Sequence, residues 1–166
     1  MSHLLNHPFR RNRRLHAAHS RGRSRTLRYC RGSMSGFNSE RVEGLFAGDP
    51  YAGALGVELI SVTDDQLTVA LEVEDRHLNF LGGGHGGMVF SLADCAFSLA
   101  SNSAGPRAVA IDTHMVFTAA ARSGDRLTGV ASELSRGRTL ATYHVMVTRQ
   151  DGRVAGIFTG TVHISA

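Results

Sequence analysis

A short segment of this chain carries the residues best suited to chemistry. It begins with His85-Gly86-Gly87, directly after three further glycines at positions 82–84, and it ends at Asp94 within an otherwise apolar run. A carboxylate among apolar side chains is either destabilising or has a raised pKa, unless other groups satisfy it. Asp94 is therefore a candidate functional acid.

The glycines open a predicted helix that extends from about residue 86 to about residue 101. The first turn of a helix presents free backbone N–H groups and the positive end of the helix dipole. Gly86 and Gly87 have no side chains that would keep a ligand away. This helix start is therefore suited to bind an oxyanion that develops on a carbonyl oxygen.

The two candidate groups are too far apart to act on one substrate within one chain. Eight residues separate Gly86 from Asp94, which is about 12 Å along a helix. A reacting carbonyl has to lie about 3 Å from both the donor and the acid. Either the two groups serve different purposes, or Asp94 of one subunit faces Gly86 of another, and a twofold dimer then forms two such sites.

Three serines lie near Asp94 on the predicted helix. Ser91, Ser98, Ser101 and Asp94 fall within an arc of about 80°. This polar stripe indicates either a face toward solvent or another subunit, or the lining of a cavity.

The segments around this helix predict a six-stranded antiparallel sheet. Alternating apolar residues bounded by turn residues place strands at 57–62, 67–73, 107–117, 125–135, 139–149 and 153–164. A short helix is predicted from Ser39, its candidate N-cap, to a stop at Asp49-Pro50. Because the long helix is apolar on almost all sides, the sheet must curl around it. The predicted fold class is α+β, with the sheet wrapped around one long central helix.

The first 33 residues differ in composition from the rest. They contain nine arginines and no acid, whereas residues 34–166 contain the other nine arginines and all 14 acids. We expect residues 1–33 to be a disordered extension and residues 34–166 to form a single domain. The alternatives for the extension are an organelle transit peptide and an arm that binds nucleic acid or an anionic surface. Since the folded part is mildly acidic, we expect no nucleic-acid partner.

The cysteines and the hydropathy pattern give no sign of a disulfide-linked, metal-binding or membrane-spanning protein. Cys30 and Cys95 provide neither a disulfide framework nor the spacing of metal ligands, and no uncharged run of about 20 apolar residues occurs. We therefore expect a cytoplasmic protein with no metal and no membrane segment.

The motifs, in chain order, resemble the hot-dog-fold acyl-CoA thioesterases of phenylacetate degradation, the PaaI type. The matching segments are His77-Leu78-Asn79, the stretch 85–94, Asn102-Ser103, Ala108-Val109-Ala110, Gly124-Asp125-Arg126-Leu127, Gly137-Arg138, Tyr143 and Ala155-Gly156-Ile157-Phe158. The resemblance covers about residues 40–164 and implies the hot-dog fold and an acyl-CoA substrate. It also implies no cofactor beyond the coenzyme A of the substrate, and a homodimer that pairs further into a homotetramer.

The same resemblance implies a role for each catalytic candidate. Asp94 would be the general base or nucleophile, and the Gly86 N–H of the facing subunit would polarise the thioester carbonyl. Asn79 would position the substrate or a water, and His85 would shape the loop and contribute to the carbonyl site. Ser98, one turn from Asp94, would share a water with it.

The substrate-binding candidates are Gly87, Arg136 and Arg138. Arg122 is a third arginine that, like Arg136 and Arg138, could contact the phosphates of coenzyme A. An aromatic, phenylacetyl-type acyl group follows from the resemblance alone, and Phe117–Arg122 stands where a proline-containing turn is expected. Two alternative functions stay open. One is a hydratase for enoyl or hydroxyacyl thioesters that pairs His77 with Asp94, and the other is a non-catalytic acyl-CoA-binding protein.

Overall fold

A computed structural model describes residues 36–165 of the chain. The helices are α1 (Ser39–Ala47), α2 (Pro50–Leu55) and α3 (Gly86–Asn102), with one 3₁₀ turn at Asp75–His77. The strands are β1 (Val57–Val62), β2 (Leu67–Glu72), β3 (Ala108–Phe117), β4 (Arg126–Arg136), β5 (Leu140–Arg149) and β6 (Val154–Ile164). The extension predicted for residues 1–33 lies outside the described residues.

The six strands form one antiparallel sheet in the order β1-β2-β4-β5-β6-β3. Alternate residues of β4, β5 and β6 are buried, and α3 buries nine apolar residues in the same core. This confirms the predicted six-stranded sheet around a long central helix. Within residues 36–165, no helix is long and apolar enough to span a membrane.

Gly160 in β6 allows α3 to lie close to the sheet. A Cβ atom at this position would lie 2.8 Å from Cζ of Phe97 and 2.9 Å from Cε1 of Phe158. The ring of Phe97 packs against Phe158 at 5.4 Å and edge-on to Tyr143 at 5.8 Å between ring centres. Such aromatic pairs prefer tilted and edge-on geometries, so they favour one position of the helix on the sheet.

Polar contacts fix the C-terminal end of α3. The guanidinium group of Arg41 in α1 donates to the carbonyl oxygens of Asn102 and Gly105, at 2.7 and 2.9 Å. The side chain of Asn102 binds both the N–H and the C=O of Ala108, at 2.9 and 3.1 Å. The first residue of β3 is thereby attached to the last residue of α3.

Two details near the N-terminal helices were predicted wrongly. The N-cap of α1 is Asn38, whose Oδ1 accepts from the Arg41 N–H at 2.8 Å. Asp49-Pro50 starts a second helix, α2, because Asp49 Oδ1 accepts from the N–H groups of Tyr51 and Ala52, both at 3.0 Å. An aspartate followed by proline is a favourable helix start, since the proline occupies the first turn.

Strand β3 is an edge of the sheet. Thr113 in β3 pairs with Gly160, which faces α3, so the Thr113 side chain lies on the α3 side of the sheet. Thr113 is nevertheless exposed. Val109, Ile111, Val116 and Phe117 are also exposed. A long edge strand with exposed apolar residues favours pairing with another strand.

Candidate active site

Among residues 36–165, the start of α3 has one backbone donor without an acceptor. His85 is the N-cap, and its Nδ1 accepts a hydrogen bond from the Gly87 N–H at 2.8 Å. The His85 carbonyl accepts from the N–H groups of Met88 and Val89. The N–H of Gly86 has no acceptor among residues 36–165. It is therefore the donor of the first turn that is available to a ligand.

The loop before α3 is held on both sides by backbone hydrogen bonds. The His85 N–H donates to the His77 carbonyl, and the Gly84 N–H donates to the Ala121 carbonyl, both at 2.8 Å. A Cβ atom at Gly84 would lie 2.9 Å from Cβ of Ala121, so only glycine fits there. These contacts fix the position of the Gly86 donor relative to the sheet.

Asn79 organises the tip of this loop. Its Oδ1 accepts from the N–H groups of Leu81 and Gly83, at 2.8 and 3.3 Å, and its own N–H donates to the Gly83 carbonyl at 2.7 Å. The Nδ2 group of Asn79 donates to no other residue that the structure describes, so it is the part of the side chain left for a substrate or a water. The same turn leaves Phe80 97% and Leu81 80% exposed.

An apolar cavity of about 330 Å³ adjoins Gly86. Its walls are Gly84, Val89, Phe117 and the segment 118–121, in which three alanines follow Thr118. A Cβ atom at Gly86 would lie 3.3 Å from Cζ of Phe117, so the aromatic ring lies next to Gly86. The segment that lacks the expected proline thus forms a wall of small side chains.

Asp94 lies in the middle of α3, away from this cavity. Its carboxylate makes no hydrogen bond to any of the residues 36–165, and burial raises its pKa. It lines neither of the two cavities at the start of α3. Burial also raises the pKa of the neighbouring Cys95 thiol to about 12, and Asp49 and Asp94 add to the shift, so this thiol is a poor nucleophile.

The serines of the predicted polar stripe on α3 do not line one common cavity, because each has a different environment. Ser91 Oγ lies 2.7 Å from the hydroxyl of Tyr51 in α2. Ser98 is exposed, whereas Ser101 is buried and donates to the Ser98 carbonyl at 3.1 Å. The prediction that Ser98 shares a water with Asp94 stays a prediction.

A second cavity, of about 310 Å³, lies beside the same helix start. It is lined by Tyr51, Leu55, Arg76, His77, Leu78, His85, Gly87, Met88 and Ser91. His77 belongs to this cavity and Asp94 does not, so the contact that the hydratase alternative requires within one chain is not formed. The described residues also contain no cluster of three or more His, Cys, Asp or Glu side chains that could hold a metal ion.

Arg136 belongs to a hydrogen-bonded network. Its Nε lies 2.7 Å from Oε2 of Glu133, and its NH2 group donates to the Tyr143 hydroxyl at 2.6 Å. The Tyr143 hydroxyl in turn donates to Glu133 at 2.8 Å. Since Glu133 and Tyr143 are largely buried, this network gives Arg136 a structural role.

Arg138 is exposed in the turn between β4 and β5. This turn lies at the C-terminal end of α3, because Thr139 accepts from the Ile164 N–H and Ile164 pairs with Ala108, the residue that Asn102 binds. Within one chain, Arg136 and Arg138 therefore lie at the end of the helix opposite Gly86. The third candidate, Arg122, directly follows the segment 118–121, which lines the cavity beside Gly86.

Two residues near the site, Tyr51 and Phe117, were not predicted from the sequence as site residues. Tyr51 contacts Ser91 from α2, a helix whose start signal, Asp49-Pro50, was interpreted as a stop. Phe117 was noted only as part of an unusual turn, and nothing in the sequence placed its ring beside Gly86. That contact joins residues far apart in the chain and requires the folded sheet.

The fold and the helix start together define the hot-dog class of acyl-group enzymes. Residues 81–155 match the model of the thioesterase superfamily. A putative esterase of Deinococcus radiodurans is 48% identical over 113 residues, which are 68% of this chain and 77% of that protein. The acyl-coenzyme A thioesterase PaaI of Escherichia coli is 32% identical over 75% of this chain and 89% of its own length.

Solved structures agree with these matches. The structure of E. coli PaaI has a TM-score of 0.73 at 31% identity, covering 76% of this chain and 92% of that one. A hypothetical thioesterase of Streptococcus pneumoniae, solved with coenzyme A, has a TM-score of 0.64 at 28% identity, covering 66% and 86%. The chain belongs to the thioesterase superfamily, as a hot-dog thioesterase of the PaaI type.

Proposed function

We propose that the protein is an acyl-CoA thioesterase that hydrolyses R–CO–S–CoA to a free acid and coenzyme A. The observation that carries this proposal is that the Gly86 N–H at the start of α3 has no acceptor among residues 36–165, while Gly86 lines an apolar cavity. The names of the E. coli relative and of the coenzyme-A-bound S. pneumoniae structure support the substrate class. No metal or redox cofactor is required.

The cavity beside Gly86 suits the acyl group. When the thioester oxygen accepts from the Gly86 N–H, the acyl carbon chain can extend between Val89, Phe117 and the alanines of 119–121. Phe117 offers an aromatic face next to this position, and aromatic rings favour one another at tilted or offset geometry. We therefore propose an aromatic acyl group of phenylacetyl type.

The acid in this scheme is Asp94 of a second copy. Its own chain holds it about 12 Å along the helix from the Gly86 donor, which is too far for both to contact one carbonyl group. The exposed edge strand β3 offers the contact that a twofold dimer needs, since pairing of two β3 strands would satisfy their free backbone groups and cover Val109, Ile111 and Val116. The proposed enzyme is therefore a homodimer at least.

The chemical step follows from these placements. Asp94 accepts a proton from a water that attacks the carbonyl carbon, and the oxyanion that forms is stabilised by the Gly86 N–H. Collapse of this intermediate breaks the C–S bond, and the proton held by Asp94 passes to the leaving thiolate. Ser98 and the Asn79 Nδ2 group are proposed to position the water or the substrate. The alternative is attack by Asp94 itself to form an anhydride that water then hydrolyses.

Substitution by proline tests the Gly86 donor. Proline has no N–H, is favoured in the first helical position, and fits after His85, whose ψ of 132° is extended. Gly86→Pro should lower kcat about 100- to 1,000-fold. Gly86→Ala retains the N–H and is the matched control for added bulk beside Phe117. If Gly86→Pro releases thiol from acyl-CoA at the wild-type rate, the donor role is refuted.

Mixed dimers test the shared site. Asp94→Asn and Gly86→Pro chains are refolded together, and each heterodimer then contains one site with both defects and one intact site. Random mixing should recover about a quarter of the wild-type activity from two nearly inactive parents. If the mixture stays as inactive as its parents, although heterodimers are present by native mass spectrometry, the two groups do not meet across subunits.

A further inference from the structure

The segment 118–121, which forms one wall of the acyl cavity, has no regular secondary structure. Three of its four residues are alanines, whose side chains form no hydrogen bonds. The first residue, Thr118, attaches the segment to β6, because its N–H donates to the Ala155 carbonyl at 3.0 Å and its Oγ1 donates to the Val154 carbonyl. The position of the alanines beyond Thr118 depends on contacts made to their backbone.

Arg149, at the end of β5, binds the backbone of this wall. Its NH1 group donates to the Ala120 carbonyl at 3.0 Å, across 29 residues of sequence. This is the only aligned hydrogen bond of the guanidinium to any of the residues 36–165, although the side chain is only 15% exposed and its Nε is buried without a hydrogen bond. A largely buried donor has few water molecules to replace a lost partner, so this contact is costly to break.

Asp125 fixes the guanidinium of Arg149 behind the wall. Its carboxylate is buried, and its Oδ2 lies 3.3 Å from Nε of Arg149. A hydrogen bond from Gln150 is the main cause that lowers the pKa of Asp125, so the carboxyl group is ionised at neutral pH. The same carboxylate accepts from the Arg122 N–H at 2.8 Å. The ion pair therefore holds the chain both at Ala120 and directly after the wall.

The wall is also attached to the loop before α3. The Gly84 N–H donates to the Ala121 carbonyl at 2.8 Å. This loop has a second backbone attachment that does not involve the wall, from the His85 N–H to the His77 carbonyl. Loss of the Arg149 contact is therefore expected to displace the wall while the start of α3 keeps its position.

We infer that Arg149 is a positioning residue for acyl selectivity, which holds the alanine wall against the acyl group through the Ala120 carbonyl. The inference rests on the proposed function, because it requires the acyl group to lie in the cavity beside Gly86. A phenylacetyl group is long enough to extend from Gly86 toward the wall, whereas an acetyl group ends beside Gly86. A correctly placed wall therefore favours the longer group selectively.

Binding is measured by calorimetry on the full chain with two analogues of acyl-CoA that cannot be hydrolysed, because a methylene group separates the carbonyl from the sulfur. One analogue carries a phenylacetyl group and the other an acetyl group, and the wild type should prefer the former. Arg149→Met has a side chain of similar length without a donor. It should weaken binding of the phenylacetyl analogue about tenfold and leave binding of the acetyl analogue unchanged, whereas a general loss of structure would weaken both.

Arg153→Met is the matched control. Arg153 is exposed, lies 3.7 Å from Asp151 at the same end of the sheet, and makes no hydrogen bond to the wall, so its substitution should leave both affinities unchanged. Because Arg149→Met leaves Asp125 without its cation, circular dichroism checks that it is folded. If it is not, Asp125→Asn/Arg149→Met replaces it, since removing both charges of a buried pair costs far less than removing one.

The inference is overturned if the folded variant retains the wild-type ratio of the two affinities, if Arg153→Met lowers this ratio equally, or if the wild type binds both analogues equally well. The ratio of kcat/KM for phenylacetyl-CoA and acetyl-CoA gives the same comparison where an analogue binds too weakly for calorimetry. Failure of the proposed function is a separate result, in which the wild type binds neither analogue and releases no thiol from either substrate. That result would overturn the inference together with its basis.

Discussion

The imidazole of His85 binds the N–H of Gly87 at 2.8 Å, and this contact separates the roles of the two glycines. In the sequence, Gly86 is the candidate that polarises the carbonyl and Gly87 is a candidate for binding the substrate. In the fold, the Gly87 N–H is occupied by the N-cap, whereas the Gly86 N–H has no acceptor among residues 36–165 and Gly86 lines the apolar cavity. The histidine of the motif thus determines which glycine can bind an oxyanion.

The Asp94→Asn variant should fold normally and lose at least about 100-fold in kcat, because asparagine can neither accept the proton nor attack the carbonyl. The measurement is thiol release from a panel of acyl-CoA substrates. The control variant is Glu43→Gln, which removes an exposed carboxylate from α1 and should keep the wild-type rate. Thiol release at the wild-type rate would exclude Asp94 from the mechanism. Absence of thiol release by the wild type would favour the two alternatives, the hydratase and the non-catalytic binding protein, because neither breaks the C–S bond.

The raised pKa of Asp94 predicts a pH-dependent stability difference between the wild type and Asp94→Asn. Asp94 is half-buried, and a carboxyl whose pKa is raised by burial binds its proton more tightly in the folded state. Its stabilising contribution is complete below the unfolded pKa and is lost as the pH rises through the folded pKa. Asp94→Asn should therefore have a higher Tm than the wild type near pH 8, and the difference should shrink near pH 3. An equal difference at both pH values would contradict this explanation.

The N-cap contact predicts that His85→Ala lowers the free energy of unfolding by about 1 kcal/mol, since the Gly87 N–H loses its acceptor. His85→Asn is the matched variant, because asparagine is also a favourable N-cap and should restore most of the loss. Urea denaturation of the three proteins gives the comparison. Equal stability of the alanine and wild-type proteins would show that the cap contributes nothing.

The Glu133–Arg136–Tyr143 network predicts that substitution of Arg136 and substitution of Arg138 affect stability differently. Arg136→Gln leaves the largely buried Glu133 without its cation and should lower the free energy of unfolding by about 3 kcal/mol. Arg138 lies in an exposed turn, so Arg138→Gln should leave the free energy of unfolding unchanged. Loss of a phosphate contact should instead raise KM for acyl-CoA. If KM is unchanged in Arg138→Gln, that residue does not bind coenzyme A.

Local patterns were sufficient for much of the fold. Alternating apolar residues and glycine-containing turns placed all six strands within two residues of their ends, and the first residue of α3 was predicted correctly. Patterns of this kind do not distinguish the end of one helix from the start of the next, so α2 was missed at Asp49-Pro50. The use of Asn79 Oδ1 within its own loop and the network around Arg136 depend on contacts made only in the folded chain.

The length of α3 has a mechanical consequence in the proposed dimer. Each copy of α3 carries the carbonyl-binding donor of one site and the acid of the other on one continuous helix. The C-terminal end of this helix is held by the contacts of Arg41 and Asn102. A movement of either helix along its axis would displace the donor in one site and the acid in the other by the same distance. A ligand that shifts one helix would therefore change the geometry of both sites, so the two halves of the dimer would not react independently.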